Sequence, residues 1–168
     1  CFYPLGANVP INEESLLTGN LEPTNSPYAM AKLTAIEIGD AITKQFGHKI
    51  INLMPTNLYG PNDNFSEDHS HVIPGLIHRM HNAKVNKDNT FEVWGTGKPL
   101  REFMHVDDLT SAIGYILNNN LFSEQVLNVG SNDEISISDL VLKIKNVVNY
   151  KGKIIFISYM PDGNPRKL

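Results

Sequence analysis

The stretch Ser26-Pro-Tyr-Ala-Met-Ala-Lys-Leu-Thr-Ala-Ile-Glu-Ile-Gly-Asp-Ala-Ile-Thr-Lys-Gln-Phe46-Gly-His-Lys-Ile-Ile-Asn-Leu-Met54 decides the fold. Its apolar residues recur at helical spacing from about Pro27 to Phe46, and Gly47 is a natural residue to end such a helix. Ile50, Ile51, Leu53 and Met54 then form a short apolar run of the kind found in buried strands. Upstream, Cys1-Phe2-Tyr3-Pro4 reads as the end of a strand entering a polar loop, so an amino-terminal part is expected to precede it. Downstream, a helix is predicted from Val72 to Lys84, entered through Pro74. Strands follow at Thr90–Trp94 and Arg101–Val106, with Gly95-Thr96-Gly97-Lys98-Pro99 read as a hairpin turn. Asp107 or Asp108 is expected to cap a helix running to about Asn118, followed by a strand at Val126–Val129. Ser138 or Asp139 starts a helix with Leu140, Ile144 and Val147 on one stripe, and Lys153–Ser158 is the last strand. Alternating strands and helices predict an α/β fold with a mainly parallel sheet. Several long connections rich in His, Asn, Pro and Gly fit loops that build a site at the carboxyl ends of strands.

Bulk properties exclude several classes. With 168 residues, 41% of them hydrophobic and 19% charged, the chain is long and apolar enough for a good core. A net charge of −4, with fourteen scattered Lys and Arg, argues against a nucleic-acid binder. No apolar run approaches the roughly 20 residues of a membrane span. The single cysteine, Cys1, rules out a disulfide within the chain, so a reducing, cytoplasmic setting is expected.

Tyr28 and Lys32 lie one helical turn apart at the helix start, with Ser26 as candidate N-cap and Pro27 at the first helical position. A free phenol has a pKa of about 10. A nearby cation favours its ionised form, so such a tyrosine can pass a proton near neutral pH, which suits carbonyl reduction. The same spacing is also that of an amphipathic helix with a snorkelling lysine. His69, His71, His78 and His81 match no closed zinc site, so no metal is expected. His71, at the mouth of the second helix, can serve as acid or base. Gly95-Thr-Gly-Lys98 lacks the spacing of a phosphate loop, and no Gly-rich dinucleotide fingerprint follows any strand. Asp107 and Asp108 are read as caps rather than catalysts. Arg79, Arg101, Arg166 and Lys167 can grip a diphosphate if folded together, or can be solvated surface charges. Trp94 can cover a sugar or belong to the core.

Taken together, Cys1-Phe-Tyr-Pro4, Glu22-Pro-Thr-Asn25, Tyr28-Ala-Met-Ala-Lys32, Met54-Pro-Thr-Asn-Leu-Tyr-Gly-Pro-Asn-Asp-Asn-Phe65, His71-Val-Ile-Pro74, Val93-Trp-Gly-Thr-Gly97 and Arg101-Glu-Phe-Met-His-Val-Asp-Asp108 resemble the GDP-L-fucose synthase family. These are extended short-chain dehydrogenases/reductases. The resemblance spans nearly the whole chain. It implies a partial Rossmann-type doubly wound parallel sheet plus a smaller α/β substrate-binding part. Residues 1–62 would belong to the NADP-binding domain and 63–168 mainly to the substrate part, with 101–130 packing back on the Rossmann sheet. The implied reaction is 3,5-epimerisation of GDP-4-keto-6-deoxy-D-mannose, then NADPH-dependent 4-reduction to GDP-L-fucose. By resemblance Tyr28 donates a proton to the C4 oxygen, Lys32 tunes it and bonds the nicotinamide ribose, and Cys1 and His71 are the base and acid of the epimerisations. The resemblance also implies that Pro55, Leu58 and His71 line the cofactor pocket, while Arg79, Trp94, Arg101 and Lys167 hold the GDP-sugar. A homodimer packed through helices that include the Tyr28 helix is also implied.

Departures from the family pattern stand out: its catalytic serine would precede Cys1, and its Gly-rich first half and a carboxyl-terminal segment are not in the sequence. The chain reads as about half of such an enzyme, and this piece alone is expected neither to bind NADPH tightly nor to turn over. Alternative readings are another extended reductase, such as a nucleotide-sugar 4-epimerase or 4,6-dehydratase, and a non-catalytic nucleotide-sugar-binding module.

Overall fold

The computed structural model describes residues 2–66, 69–162 and 166–168, with the backbone alone for Lys167. In chain order its main elements are α1 (Ser26–Phe46), β1 (Asn52–Pro55), β2 (Asn57–Tyr59), α2 (Val72–Val85), β3 (Thr90–Trp94), β4 (Leu100–His105), α3 (Val106–Asn118), β5 (Val126–Val129), β6 (Glu134–Ser136), α4 (Ile137–Val148), β7 (Lys153–Ile157) and β8 (Arg166–Lys167). They fall into two compact units. The first holds Cys1–Thr56 and Asp107–Ser131 with Leu168; the second holds Asn57–Val106 and Asn132–Lys167.

In the first unit β1 pairs in parallel with β5, with Asn52 opposite Val126 and Pro55 opposite Val129. Leu33 and Ile36, one helical turn apart on α1, bury against Met54 of β1, and Phe2, Leu16, Leu21 and Val126 pack around them. The start of α1 differs from the sequence expectation. Ser26 is the first helical residue, and Asn25 at the cap position makes no side-chain capping bond. Glu22 organises the entry instead, because the preceding turn Pro23–Asn25 leaves N–H groups that need acceptors. The Thr24 and Asn25 N–H groups donate to its carboxylate at 3.1 and 3.0 Å, and the Thr24 hydroxyl and Asn25 amide donate at 2.7 Å each. At the other end Gly47 takes a left-handed conformation (φ 72°), and its N–H closes onto the Thr43 carbonyl. In α3, Asp107 and Asp108 occupy the first turn, where the helix dipole favours them, rather than a cap position.

The second unit is built on β3 and β7, which pair in parallel from Thr90 opposite Lys153 to Trp94 opposite Ile157. Alternation along Thr90–Trp94 buries Phe91 and Val93. Leu76, Met80 and Ala83 of α2, and Leu140, Val141 and Ile144 of α4, complete this core. Tyr150 is buried there too, and its hydroxyl donates to the Asp88 carbonyl at 2.9 Å. A second sheet centres on β4, which pairs in parallel with β2 and β8 and antiparallel with β6. The helix expected from Ser138 or Asp139 begins at Ile137, because the Ser136 hydroxyl accepts from the Asp139 N–H at 3.0 Å and so caps it two residues earlier. The expected hairpin is also corrected. β3 and β4 pair with different partners, so Gly95–Pro99 is a connection between sheets.

No helix among the described residues is long and apolar enough to cross a membrane. Met80 has no exposed surface, so Met80→Ala should lower the unfolding free energy by about 2–5 kcal/mol in urea titration; an unchanged midpoint would contradict the packing. The Thr24 contacts hold the Glu22 carboxyl below the usual carboxylate range. A depressed folded pKa contributes stability above the unfolded value of about 4.3, lost as pH falls through the lower folded value. The protection factors of the Thr24 and Asn25 amides against exchange should therefore fall in acid, and Glu22→Gln should show the lower protection already at neutral pH.

Candidate active site

In the first unit the opening turns of α1 bring two expected residues together. The Lys32 ammonium lies 5.3 Å from the centre of the Tyr28 ring. The contact follows from the four-residue spacing, which stacks side chains along one helix face. Tyr28 is 53% exposed and Lys32 is exposed, so neither serves the core, whereas Ala29 and Leu33 beside them are buried. Both side chains therefore lie on the solvent side of α1. Pro55 ends β1 opposite Val129. Cys1 lies outside the described residues.

Behind this helix a polar network joins the loop before it to the end of β5. The Tyr3 hydroxyl donates to Asn128 Oδ1 at 2.5 Å, and the Asn128 side-chain amide donates to the Ile11 carbonyl at 3.0 Å. The Asn128 N–H donates to Glu13 Oε1 at 2.7 Å. Burial pushes the Tyr3 phenol above its ordinary pKa, so it acts here as a fixed donor.

In the second unit Leu58 lies on β2 and pairs with Met104, and His71 is the exposed N-cap residue of α2, with no side-chain capping bond. Trp94 closes β3 and is 65% exposed, which separates it from the core. Arg101 lies on β4 in register with Lys167 of β8, so two cationic residues occupy paired positions on adjacent strands. Burial holds the Arg101 guanidinium below the usual arginine range, and the nearby Asp162 carboxylate opposes that shift. Arg79 is partly committed to structure. Its Nη2 donates to the Glu92 carbonyl at 2.6 Å, and its guanidinium lies 5.1 Å from the centre of the Phe91 ring. Arg166 forms a fork with Glu134, its Nε 2.9 Å from both carboxylate oxygens, so its charge is matched within the unit.

A cavity of about 310 Å³ also lies in this unit, walled mainly by Tyr59, Phe65, Ile73, Pro74, Ile77 and His105. The Tyr59 and His105 rings meet edge to face with centres 5.3 Å apart. None of the residues expected from sequence lines it. Glu102 was missed as well. It is only 5% exposed, accepts from the Asn132 N–H at 2.8 Å, and through its own carbonyl accepts from the Asn57 amide at 2.8 Å. The available signal was Glu102 in alternation with Met104, since both face the buried side of β4. Among the described residues no group of three or more His, Cys, Asp or Glu can hold a metal ion.

Parallel strands joined through helices make this a Rossmann-like α/β fold, with an exposed Tyr-x-x-x-Lys pair at a helix start. A family model described as the NAD dependent epimerase/dehydratase family matches residues 1–130. The chain belongs to that family. It is 50% identical over its full length to GDP-L-fucose synthase 1 of Arabidopsis thaliana, covering 52% of that protein. It is 43% identical to GDP-L-fucose synthase of Escherichia coli strain K12, covering all of this chain and 55% of that protein. A GDP-L-fucose synthetase from Naegleria fowleri bound to NADP superposes with a TM-score of 0.91 at 31% identity, over 99% of this chain and 54% of the other. The chain thus spans about half the length of the relatives it matches.

The Arg79 contacts yield a test of how far that side chain is structural. Arg79→Lys keeps the charge but loses the bond to the Glu92 carbonyl and the stacking on Phe91, and should cost about 1–2 kcal/mol of stability in urea. An unchanged stability would show that Arg79 contributes its charge alone.

Proposed function

We propose that this chain is part of an NADPH-dependent enzyme that epimerises GDP-4-keto-6-deoxy-D-mannose at C3 and C5 and then reduces C4 to give GDP-L-fucose. The observation that carries this reading is the exposed Tyr28–Lys32 pair at the start of α1, in a chain aligned end to end with GDP-L-fucose synthases. The first unit contributes to the NADP-binding part with Tyr28, Lys32 and Pro55. The second contributes the GDP-sugar residues Arg79, Trp94, Arg101 and Lys167, together with Leu58 and His71. A cytoplasmic homodimer is part of the same proposal.

Donor chemistry fits the nicotinamide-ribose end of the cofactor, because an ammonium suits ribose hydroxyls and the phenol beside it can donate a proton. When bound, NADPH supplies the hydride that reaches C4. Tyr28 delivers a proton to the C4 oxygen as negative charge develops there, and the Lys32 charge favours the phenolate left behind. Before that, the C4 ketone acidifies the protons on C3 and C5. Cys1 as thiolate removes one, and His71 as imidazolium returns a proton on the opposite face, which inverts the carbon; once solvent has taken the proton from Cys1 and reprotonated His71, the same exchange at the other carbon completes the epimerisation. Arg79, Arg101 and Lys167 offset the diphosphate charge, and Trp94 packs against the nucleotide-sugar.

The test uses the full-length protein with the keto-sugar in deuterated water. Without NADPH, deuterium should enter C3 and C5; with NADPH, GDP-L-fucose should form. Tyr28→Phe should lower the reduction rate by roughly 10²–10⁴-fold while deuterium still enters both carbons. A 4-epimerase or 4,6-dehydratase with another use for Cys1 and His71 would leave C3 and C5 without this paired exchange, and a binding module would bind GDP-sugar with no turnover.

A further inference from the structure

The connection from Gly95 to Pro99 has Trp94 at one end and, through Leu100, Arg101 at the other. Because β3 and β4 are not paired with each other, no ladder sets its shape. Contacts from elsewhere in the second unit do so. The Gly95 N–H donates to the Ile157 carbonyl at 3.1 Å, and the Pro99 and Gly97 carbonyls accept from Ile137 and Ser138 at 3.0 and 2.9 Å. The middle of the connection is held by one side chain. Asp162 accepts from the Thr96 N–H at 2.6 Å through Oδ1 and from the Thr96 hydroxyl at 2.7 Å through Oδ2.

The fit is close. A Cβ on Gly95, whose φ is +84°, would lie 2.3 Å from Asp162 Oδ1, so a side chain there would meet both steric and backbone penalties. Asp162 is exposed and packs no core, and its hydrogen bonds to Thr96 hold its carboxyl below the ordinary range. Lys98 and Arg101 are the cations that act on it from the same unit.

We propose that Asp162 is a positioning residue for the GDP-sugar: its carboxylate clamps Thr96 and thereby fixes the spacing of Trp94 and Arg101 at the ends of the connection. This rests on the function proposed above. Asp162 does not touch the sugar ring or the cofactor in this role. It sets where an aromatic face and a guanidinium wait for an anionic nucleotide, so its loss should weaken substrate binding more than the chemical step.

Three variants of the full-length protein separate the possibilities, read by steady-state kinetics with the keto-sugar and by calorimetric titration with GDP. Asp162→Ala should raise KM for the keto-sugar and Kd for GDP about tenfold with kcat within about twofold. Asp162→Asn keeps an acceptor for the Thr96 N–H and a group that can donate to its hydroxyl, so it should recover most of the loss. Thr96→Val, which removes the hydroxyl, should be partly impaired, and the double variant with Asp162→Ala should be no worse than Asp162→Ala alone. Wild-type affinity for GDP in Asp162→Ala, or equal falls in kcat and kcat/KM with KM unchanged, overturns the assignment while the proposed function stands. Failure of the unmodified protein to bind GDP overturns the function itself, and the assignment with it.

Discussion

Parallel pairing is the constraint on which this chain depends. Two parallel strands cannot be joined by a tight turn; the chain must leave the sheet, cross over and return, usually through a helix. β1 meets β5, and β3 meets β7, only after long intervening segments containing helices have been traversed. A helix packed on such a sheet must bury one face, which explains why Leu33 and Ile36 recur one turn apart on α1 and why Met80 of α2 and Val141 of α4 are fully covered in the second unit. Crossing over also makes the chain run on past the ends of its strands. Pro55, Trp94 and the residues after Tyr59 are at such ends, where side chains can serve a ligand without disturbing the core.

The connections between elements still need to be held, and the two units do this with polar side chains. Glu22 gathers four donors at the entry to α1, so Tyr28 and Lys32 start from a defined backbone although Asn25 makes no cap. Asn128 joins Tyr3, Ile11 and Glu13 at the end of β5. Asp162 fixes Thr96, and Glu102 braces Asn132. Glu22, Asp162 and Glu102 supply carboxylate acceptors to backbone N–H groups outside any ladder, those of Thr24 and Asn25, Thr96, and Asn132, which is the accounting that loops must satisfy.

The division between what was legible and what was not follows the range of the interactions. The α1 and β3 patterns were readable because Phe91 and Val93, or Leu33 and Ile36, express periodicity within a few residues. Tyr28 with Lys32 was readable for the same reason. The capping of α4 by Ser136 was within reach, since Ser136 and Asp139 have the local spacing of a cap, but Ser138 competed for the assignment. The Gly95–Pro99 connection was misread because two glycines and a proline between strands mark a turn without saying which strands it joins. That depends on β7, β6 and β2, far away in the sequence, as does the contact between Asp162 and Thr96. β2 and β6, three residues each, are too short for periodicity to register.

The proposed chemistry also carries its own order. Protons on C3 and C5 are acidic only while C4 is a ketone, so proton exchange by the thiol and imidazole must finish before Tyr28 protonates the C4 oxygen. Once that oxygen becomes a hydroxyl, the carbanion at C3 or C5 loses the enolate resonance that made it accessible, and a misplaced configuration is locked in. A proton donor at C4 that acts only as hydride arrives therefore protects stereochemistry as well as supplying rate. In that proposal Tyr28, with the Lys32 ammonium 5.3 Å from its ring centre, gives up its proton as hydride arrival generates the alkoxide that takes it. In this proposal, reduction is the step that ends the epimerisation.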